Sequence, residues 1–185
     1  MMQIKRLFLP VLLLISISAG AQATIGLNAQ KTYDITPADY GLVFDTIRIP
    51  TDDGASLFGW HLYPGEKSDK SSKKSVIISH DGNGNMGNAL EQAGKFLGLG
   101  FHVFMYDYRG FGKSSEFNVS PKFFIYQQFA TDLTGAIEYV KKYHALLSID
   151  LYGYGIGAGL SLGVGANNLK VHRVIADNPY TTFET

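Results

Sequence analysis

The segment that decides the fold is "DLYGYGIGAG", residues 150–159. An apolar run enters it, glycines stand at alternate positions from 153 to 157, and a run of small apolar residues leaves it. Glycine permits sharp turns and close approach of two backbone segments. The pattern therefore predicts a buried strand over 147–153, a tight turn centred on Gly155, and a helix over 156–167.

The stretch around this turn alternates strands with helices. "SVIISH" (75–80), "FHVFMYDY" (101–108) and "VHRVIAD" (171–177) are short apolar runs typical of strands in a buried sheet. Residues 87–100 and 121–144 carry apolar side chains at helical spacing, so each predicts a helix. Such alternation indicates a mostly parallel sheet with helices on both faces.

The region before this alternation has a different pattern. Residues 40–50 and 55–64 are β-rich, and Asp52-Asp53-Gly54 between them predicts a hairpin turn. The polar stretch 64–75 predicts an exposed loop. The predicted fold class is α/β, with a mostly parallel sheet that begins with an antiparallel hairpin.

The first 23 residues are typical of a cleavable secretory signal. Lys5 and Arg6 precede an apolar run over 7–19, and Ala21-Gln22-Ala23 supplies a small-x-small cleavage pattern. The run is shorter than the roughly 20 residues that span a bilayer. We therefore expect a signal peptide over 1–23, an N-terminal segment over 24–40, a main domain over 41–185, and a secreted or periplasmic protein that does not span a membrane.

Composition excludes several classes of function. Without Lys5 and Arg6, 14 basic side chains face 16 acidic ones, and no long basic stretch occurs, so nucleic acid is not an expected partner. The chain has no cysteine, so no disulfide supports it. A hydrophobic fraction of 45% argues against disorder.

Four stretches, in order, resemble the α/β-hydrolase superfamily in its branch of small serine aminopeptidases and lipase/esterase-like proteins. They are "SVIISHDGNGNMGN" (75–88), "FHVFMYDYRGFGKSS" (101–115), "IDLYGYGIGAGLS" (149–161) and "IADNPYTTFE" (175–184). The resemblance covers roughly residues 41 to 185. It implies an α/β-hydrolase sheet and descent from enzymes that hydrolyse ester or peptide bonds.

The resemblance also implies where the catalytic groups would stand. The family mechanism needs a serine at the turn, a histidine base, an acid, and two backbone N–H donors for the oxyanion. Gly155 occupies the serine position and has no side chain. Ile156 and Gly82 match the two donor positions, and Asp81 stands where the family usually has glycine.

The remaining triad positions are expected to be incomplete. In the resembled family the acid usually follows the next strand and the histidine comes later still, and the sequence stops at Thr185. Asp177 is a weaker candidate for the acid. His80 matches a family histidine that organises the loop, and Asp107 and Arg109 are expected to have structural hydrogen-bonding roles.

Other chemistries fit the sequence less well. "GFGKSS" (110–115) follows a strand, but a phosphate loop would also need glycine at position 107, which is Asp107. "GYGIGAG" (153–159) has alanine at the third position of a dinucleotide fingerprint, which keeps only a weak nucleotide-binding alternative open. The histidines show no metal-ligand spacing. No cofactor or metal is therefore expected.

Three functional hypotheses follow. The first is a truncated family member that is secreted and catalytically incompetent, with the strand at 171–177 left as an exposed sheet edge that favours self-association. The second is a secreted binding module that keeps the pocket for a small ester or peptide ligand without turnover. A third alternative, an enzyme whose missing parts lie in a neighbouring reading frame, would still have to explain Gly155.

Overall fold

The structure is a computed structural model that describes residues 27–69, 71–117, 125–145 and 147–179. The signal peptide predicted over 1–23 lies outside the described residues. Within the described ranges, no helix is both long enough and apolar enough to cross a membrane.

The described chain contains eight strands, three α-helices and two short 3-10 helices. The strands are β1 (Asn28–Ala29), β2 (Phe44–Pro50), β3 (Ser56–Leu62), β4 (Lys74–Ser79), β5 (Asn83–Gly84), β6 (His102–Tyr106), β7 (Ser148–Tyr154) and β8 (Val171–Asp177). The α-helices are α1 (Leu90–Gly98), α2 (Ile125–Tyr143) and α3 (Ile156–Gly165), and the 3-10 helices cover Pro37–Tyr40 and Met86–Ala89.

Six strands form the main sheet in the order β2-β3-β6-β4-β7-β8. The pairs β2–β3 and β3–β6 are antiparallel, whereas β6–β4, β4–β7 and β7–β8 are parallel. The α/β class, with a mostly parallel sheet and an antiparallel N-terminal hairpin, is confirmed. The short strands β1 and β5 form a separate parallel pair.

The predicted helix over 87–100 differs in how it begins. Residues Met86–Ala89 form a 3-10 turn, and the α-helix proper covers Leu90–Gly98. The side chain of Asn85 accepts a hydrogen bond from the Gly87 N–H at 3.0 Å. This cap satisfies one of the N–H groups that a helix start leaves without a partner, so the helical segment begins at Asn85.

Alternation along the central strand builds a core on each face of the sheet. Ile77 of β4 packs in the core that α2 and α3 cover. Val76 and Ile78, on the opposite side, pack with Leu90 and Ala93 of α1. A strand covered on both faces needs apolar side chains at consecutive positions, which explains the unbroken apolar run in β4.

Arg109 connects three elements at the carboxyl end of β6. Its side chain is fully buried. Its Nε and Nη2 donate to Asp132 Oδ1 at 2.9 and 2.6 Å, and its backbone N–H donates to Asp132 Oδ2 at 2.9 Å. Nη1 and Nη2 also donate to the two carboxylate oxygens of Asp53, which holds the pKa of Asp53 at about 2. The loop after β6 is thereby joined to α2 and to the hairpin turn.

The buried pair of Arg109 and Asp132 should contribute far more to stability than a surface pair. We expect Asp132→Ala to lower the free energy of unfolding by about 3 kcal/mol, because the guanidinium loses its fully buried partner. The matched control is Glu91→Ala, which removes the exposed pair between Glu91 and Lys95 and should cost no more than about 0.5 kcal/mol. Urea denaturation measures both values, and equal losses would contradict the assignment.

Candidate functional site

The turn predicted around Gly155 lies between β7 and α3. Gly155 has φ 57° and ψ −117°, a conformation that strains any residue with a side chain. Its N–H donates to the backbone oxygen of Asp177 at 3.0 Å, and its own oxygen accepts from the Ala158 N–H at 3.1 Å. The chain therefore makes a sharp strand–turn–helix connection at the carboxyl ends of β7 and β8.

The flanking glycines are required by close backbone approach. A Cβ atom on Gly153 would lie 2.0 Å from the backbone oxygen of Gly157, and one on Gly157 would lie 2.1 Å from the backbone oxygen of Ser79. Backbone atoms have little freedom to move aside at such distances. The start of α3 thus packs directly on the end of β4, and this contact places the turn at the edge of the sheet where ligands of such folds bind.

Gly82, one of the two expected oxyanion donors, lies close to the side chain of Ile156, the other. Ile156 is the first residue of α3, and N–H groups at a helix start have no partner within the helix. The Gly82 N–H donates to His80 Nδ1 at 3.2 Å. A Cβ on Gly82 would lie 2.6 Å from Leu27 Cδ2 and 3.4 Å from Ile156 Cδ1. The Gly82 N–H would have to leave His80 before it could bind an oxyanion.

His80 is a buried residue of the loop after β4. Because its Nδ1 accepts from Gly82, the neutral ring carries its proton on Nε2. That Nε2 lies 3.8 Å from Asp107 Oδ1, beyond hydrogen-bonding distance. Burial lowers the pKa of His80 to about 3. A ring that resists protonation to this degree is a poor proton acceptor for catalysis.

Asp107 is the buried carboxylate of the site. Its Oδ1 accepts from the Met86 N–H at 2.7 Å, and its Oδ2 accepts from the Tyr33 hydroxyl. Burial raises the pKa of Asp107 to about 6. Through its two hydrogen bonds, the Asp107 carboxylate connects the end of β6 to the loop after β4 and to the N-terminal segment.

The two remaining acidic candidates are engaged in local contacts. The Asn83 N–H donates to Asp81 Oδ1 at 2.9 Å, which closes a turn within the loop. The Tyr152 hydroxyl donates to Asp177 Oδ2 at 2.9 Å, and Asp177 also accepts the Gly155 N–H through its backbone. Asp177 therefore lies beside the turn, as the sequence predicts for the end of that strand.

The serines that could replace the missing nucleophile are held elsewhere. Ser114 Oγ accepts from the Phe58 N–H and donates to the Asp107 backbone oxygen. Ser115 Oγ bonds to the backbone of Ser56. Ser161 is buried within α3. Ser114 and Ser161 are buried and Ser115 is partly buried, and none of the three is a residue of the turn itself.

The N-terminal segment contributes contacts that sequence patterns did not predict. The Asn28 N–H donates to Gly82 O at 2.9 Å, and the Gln30 N–H donates to Gly84 O at 2.8 Å, so β1 runs along the loop after β4. Gln30 O accepts from the Gly112 N–H at 2.9 Å. No local signal could have revealed these bonds, because they join residues more than fifty positions apart.

A small cleft of about 90 Å³ lies beside the turn, on the face that α1 covers. Its walls include His80, Asp81, Gln92, Tyr152 and Tyr154. Within the described residues, no group of three or more histidine, cysteine, aspartate or glutamate side chains could hold a metal ion. The cleft combines aromatic surface with carboxylate and amide groups, so it suits a small polar ligand.

Comparison with known sequences places this site in context. The family model for serine aminopeptidases of family S33 matches residues 70–184. Protein bem46 of Schizosaccharomyces pombe is 28% identical over 154 residues, which are 80% of this chain and 48% of bem46. The α/β-hydrolase domain-containing protein WAV2 of Arabidopsis thaliana is 26% identical over 83% of this chain and 48% of its own length. The chain spans about half the length of these curated relatives.

Solved structures show the same fold. An esterase of Pyrococcus furiosus superposes with a TM-score of 0.69 at 23% identity, over 83% of this chain and 57% of the esterase. The α/β hydrolase GrgF from Penicillium superposes with a TM-score of 0.60 at 25% identity, over 75% of this chain and 46% of its own. The described chain thus has an α/β-hydrolase fold.

Substitution of Gly157 tests the close contact between α3 and β4. We expect Gly157→Ala to lower the free energy of unfolding by about 1–3 kcal/mol, because its Cβ overlaps the Ser79 backbone. The control is Gly94→Ala in α1, where a Cβ meets nothing within 4 Å. Gly94→Ala should raise the free energy of unfolding by about 0.5–1 kcal/mol, because alanine has a higher helix propensity than glycine. Thermal or urea unfolding that shows the same sign for both would contradict the contact.

The raised pKa of Asp107 predicts a pH dependence of stability. Its folded pKa of about 6 exceeds the ordinary value of 3.8, so the folded state binds the proton more readily between these two values. The unfavourable contribution of the buried carboxylate is present above pH 6 and is lost as the pH falls towards 4. We expect the free energy of unfolding, measured relative to Asp107→Asn, to rise by about 2–3 kcal/mol from pH 7 to pH 4. A pH-independent difference in urea titrations would contradict the shift.

Proposed function

Since the chain belongs to the serine aminopeptidase family S33 of the α/β-hydrolase superfamily, we propose that it is a secreted member that does not carry out the family's serine chemistry. The observation that supports this is Gly155 at the centre of the turn, with φ 57° and ψ −117°. Covalent acyl transfer needs a nucleophilic side chain at this point. Glycine adopts the required backbone without strain and supplies no attacking atom.

The contacts of His80 and Gly82, next to the turn, also support the absence of serine hydrolase catalysis. The described histidine of the neighbouring loop, His80, is buried and accepts a backbone N–H. The candidate donor Gly82 is engaged by that same ring. Among the described residues, a developing oxyanion would therefore meet one candidate donor, the Ile156 N–H at the helix start, and the described His80 is not placed to act as a general base.

A binding function is the second candidate, and the cleft beside the turn favours it. The cleft of about 90 Å³ has aromatic walls from Tyr152 and Tyr154 and polar groups from Asp81 and Gln92. A turn without a nucleophile would hold an ester or peptide ligand there and leave it uncut. No cofactor or metal is part of this proposal.

Secretion and self-association complete the proposal. The apolar segment with its Ala21-Gln22-Ala23 pattern supports export to the periplasm or the medium and cleavage after Ala23. At the other end, β8 lies at an edge of the described sheet, and its residue Ile175 is 41% exposed. An exposed edge of this kind favours pairing with a second copy. Light scattering of the purified protein distinguishes monomers from such dimers.

The central experiment compares the wild type with Gly155→Ser. We expect the wild type to give no labelling with a fluorophosphonate that reacts with activated serines. We also expect hydrolysis of p-nitrophenyl butyrate and of an aminoacyl p-nitroanilide at the uncatalysed rate, because position 155 offers no nucleophile. Gly155→Ser restores a hydroxyl at the family position, so any labelling confined to this variant would show that a base lies nearby.

The opposite outcome is equally clear. Labelling or turnover by the wild type above the uncatalysed rate would overturn the proposal, and Ser114→Ala and Ser161→Ala, at two buried serines, would then test whether either one is the nucleophile. Binding without turnover is tested separately, by calorimetric titration of N-acetyl peptide amides and short esters into the wild type. Retained binding with no product supports the second candidate.

A further inference from the structure

A second cavity lies at the opposite end of the sheet from Gly155. Its volume is about 260 Å³, and it lies where the parallel strands begin. Three histidines from separate elements meet in its wall: His61 near the end of β3, His102 at the start of β6, and His144 directly after α2. The three histidines are far apart in sequence, so their spacing does not predict that they form a cluster.

The histidine cluster is a packed aromatic structure. His61 Nε2 and His102 Nδ1 are 3.1 Å apart and share a hydrogen bond, and the two rings are buried. The ring of His61 stacks on Phe104 with centroids 4.1 Å apart, while the His144 ring meets it edge-on at 4.7 Å. Tyr63 lies 4.1 Å from His61 on centroids. These rings form an aromatic wall with imidazole groups set into it.

The charges around the cavity favour an anionic ligand. Nine described residues line it, and they include Lys73 but no aspartate or glutamate. The nearby Asp45 is bound by the Tyr63 hydroxyl at 2.8 Å and by Lys67. A carboxylate that enters the cavity would therefore be near Lys73 and the polar rings of the lining. The partly exposed carboxylate of Asp45 and the exposed carboxylate of Asp69 lie nearby but are not among the described lining residues.

The size of the cavity sets the class of ligand. A cavity of about 150 Å³ holds one benzene ring. The volume of about 260 Å³ leaves room for a ring and a carboxylate. A metal ion is a poorer candidate, because the described residues contain no group of three suitable ligands and the His61–His102 bond already occupies one nitrogen of each ring.

We propose that this cavity is a binding site for a small aromatic carboxylate, with the ring against the histidine and tyrosine wall and the carboxylate near Lys73. The site is separate from the turn at Gly155 and does not depend on the function proposed for it. It uses surface that the strand–turn–helix site leaves free at the amino ends of β4, β6 and β7.

The test is a titration of the full chain with sodium benzoate, followed by calorimetry and by NMR of the histidine side chains and the backbone amides. We expect a Kd on the order of 1 mM, a scale typical of ligands of this size. Shifts should occur for His61, His102 and His144. Benzylamine, which has the same ring and the opposite charge, should bind at least tenfold more weakly.

Variants of two adjacent lysines supply the matched comparison. Lys73→Met removes the cation that lines the cavity and should weaken benzoate binding at least fivefold. Lys74→Met is the control, because Lys74 Nζ donates to Leu99 O and lies over the Phe101 ring, outside the cavity lining. Its Kd should stay within twofold of the wild type. Both lysines are exposed, so neither change should prevent folding.

Three results would overturn the proposal. The first is equal binding of benzoate and benzylamine. The second is equal effects of Lys73→Met and Lys74→Met. The third is benzoate-induced shifts at Tyr154 and Ile156 with none at the three histidines, which would assign the ligand to the turn.

Discussion

The close approach of α3 to the sheet is the constraint on which the rest of the structure depends. The chain passes from β7 into α3 with no space for a side chain at Gly153 or Gly157, since each would overlap backbone atoms. This contact brings the start of the helix against Ser79 at the end of β4. The turn, the helix start and the loop after β4 then meet at one edge of the sheet, where the family has its active site.

The same constraint separates architecture from chemistry. A nucleophile at the centre of such a turn is a strained residue that the surrounding packing holds in place. Gly155 meets the backbone requirement without strain and brings no reactive group. The backbone of the turn therefore does not require a serine at its centre, and membership of a hydrolase family describes the fold of this chain and does not by itself establish an activity.

Buried polar groups hold the loops around the turn in one arrangement. Asp107 accepts bonds from Met86 and Tyr33, and Arg109 joins Asp132 and Asp53. Each bond links segments that are distant in sequence. These paired groups therefore fix the loops around the turn relative to one another. The opposite end of the sheet gathers aromatic and imidazole groups around a cavity, which makes the two ends chemically distinct.

Local pattern by itself determined the α/β class, the strands near 75–80, 101–108 and 171–177, and the turn at Gly155, because periodicity and glycine spacing act over a few residues. Only the tertiary structure decided that the Asn28 N–H bonds to the Gly82 backbone oxygen and that the Tyr33 hydroxyl bonds to Asp107. It alone brought His61, His102 and His144 together at one cavity. These contacts join residues that are far apart in the sequence and meet only when the sheet and its loops are assembled. Such long-range contacts leave no periodic pattern in a single sequence.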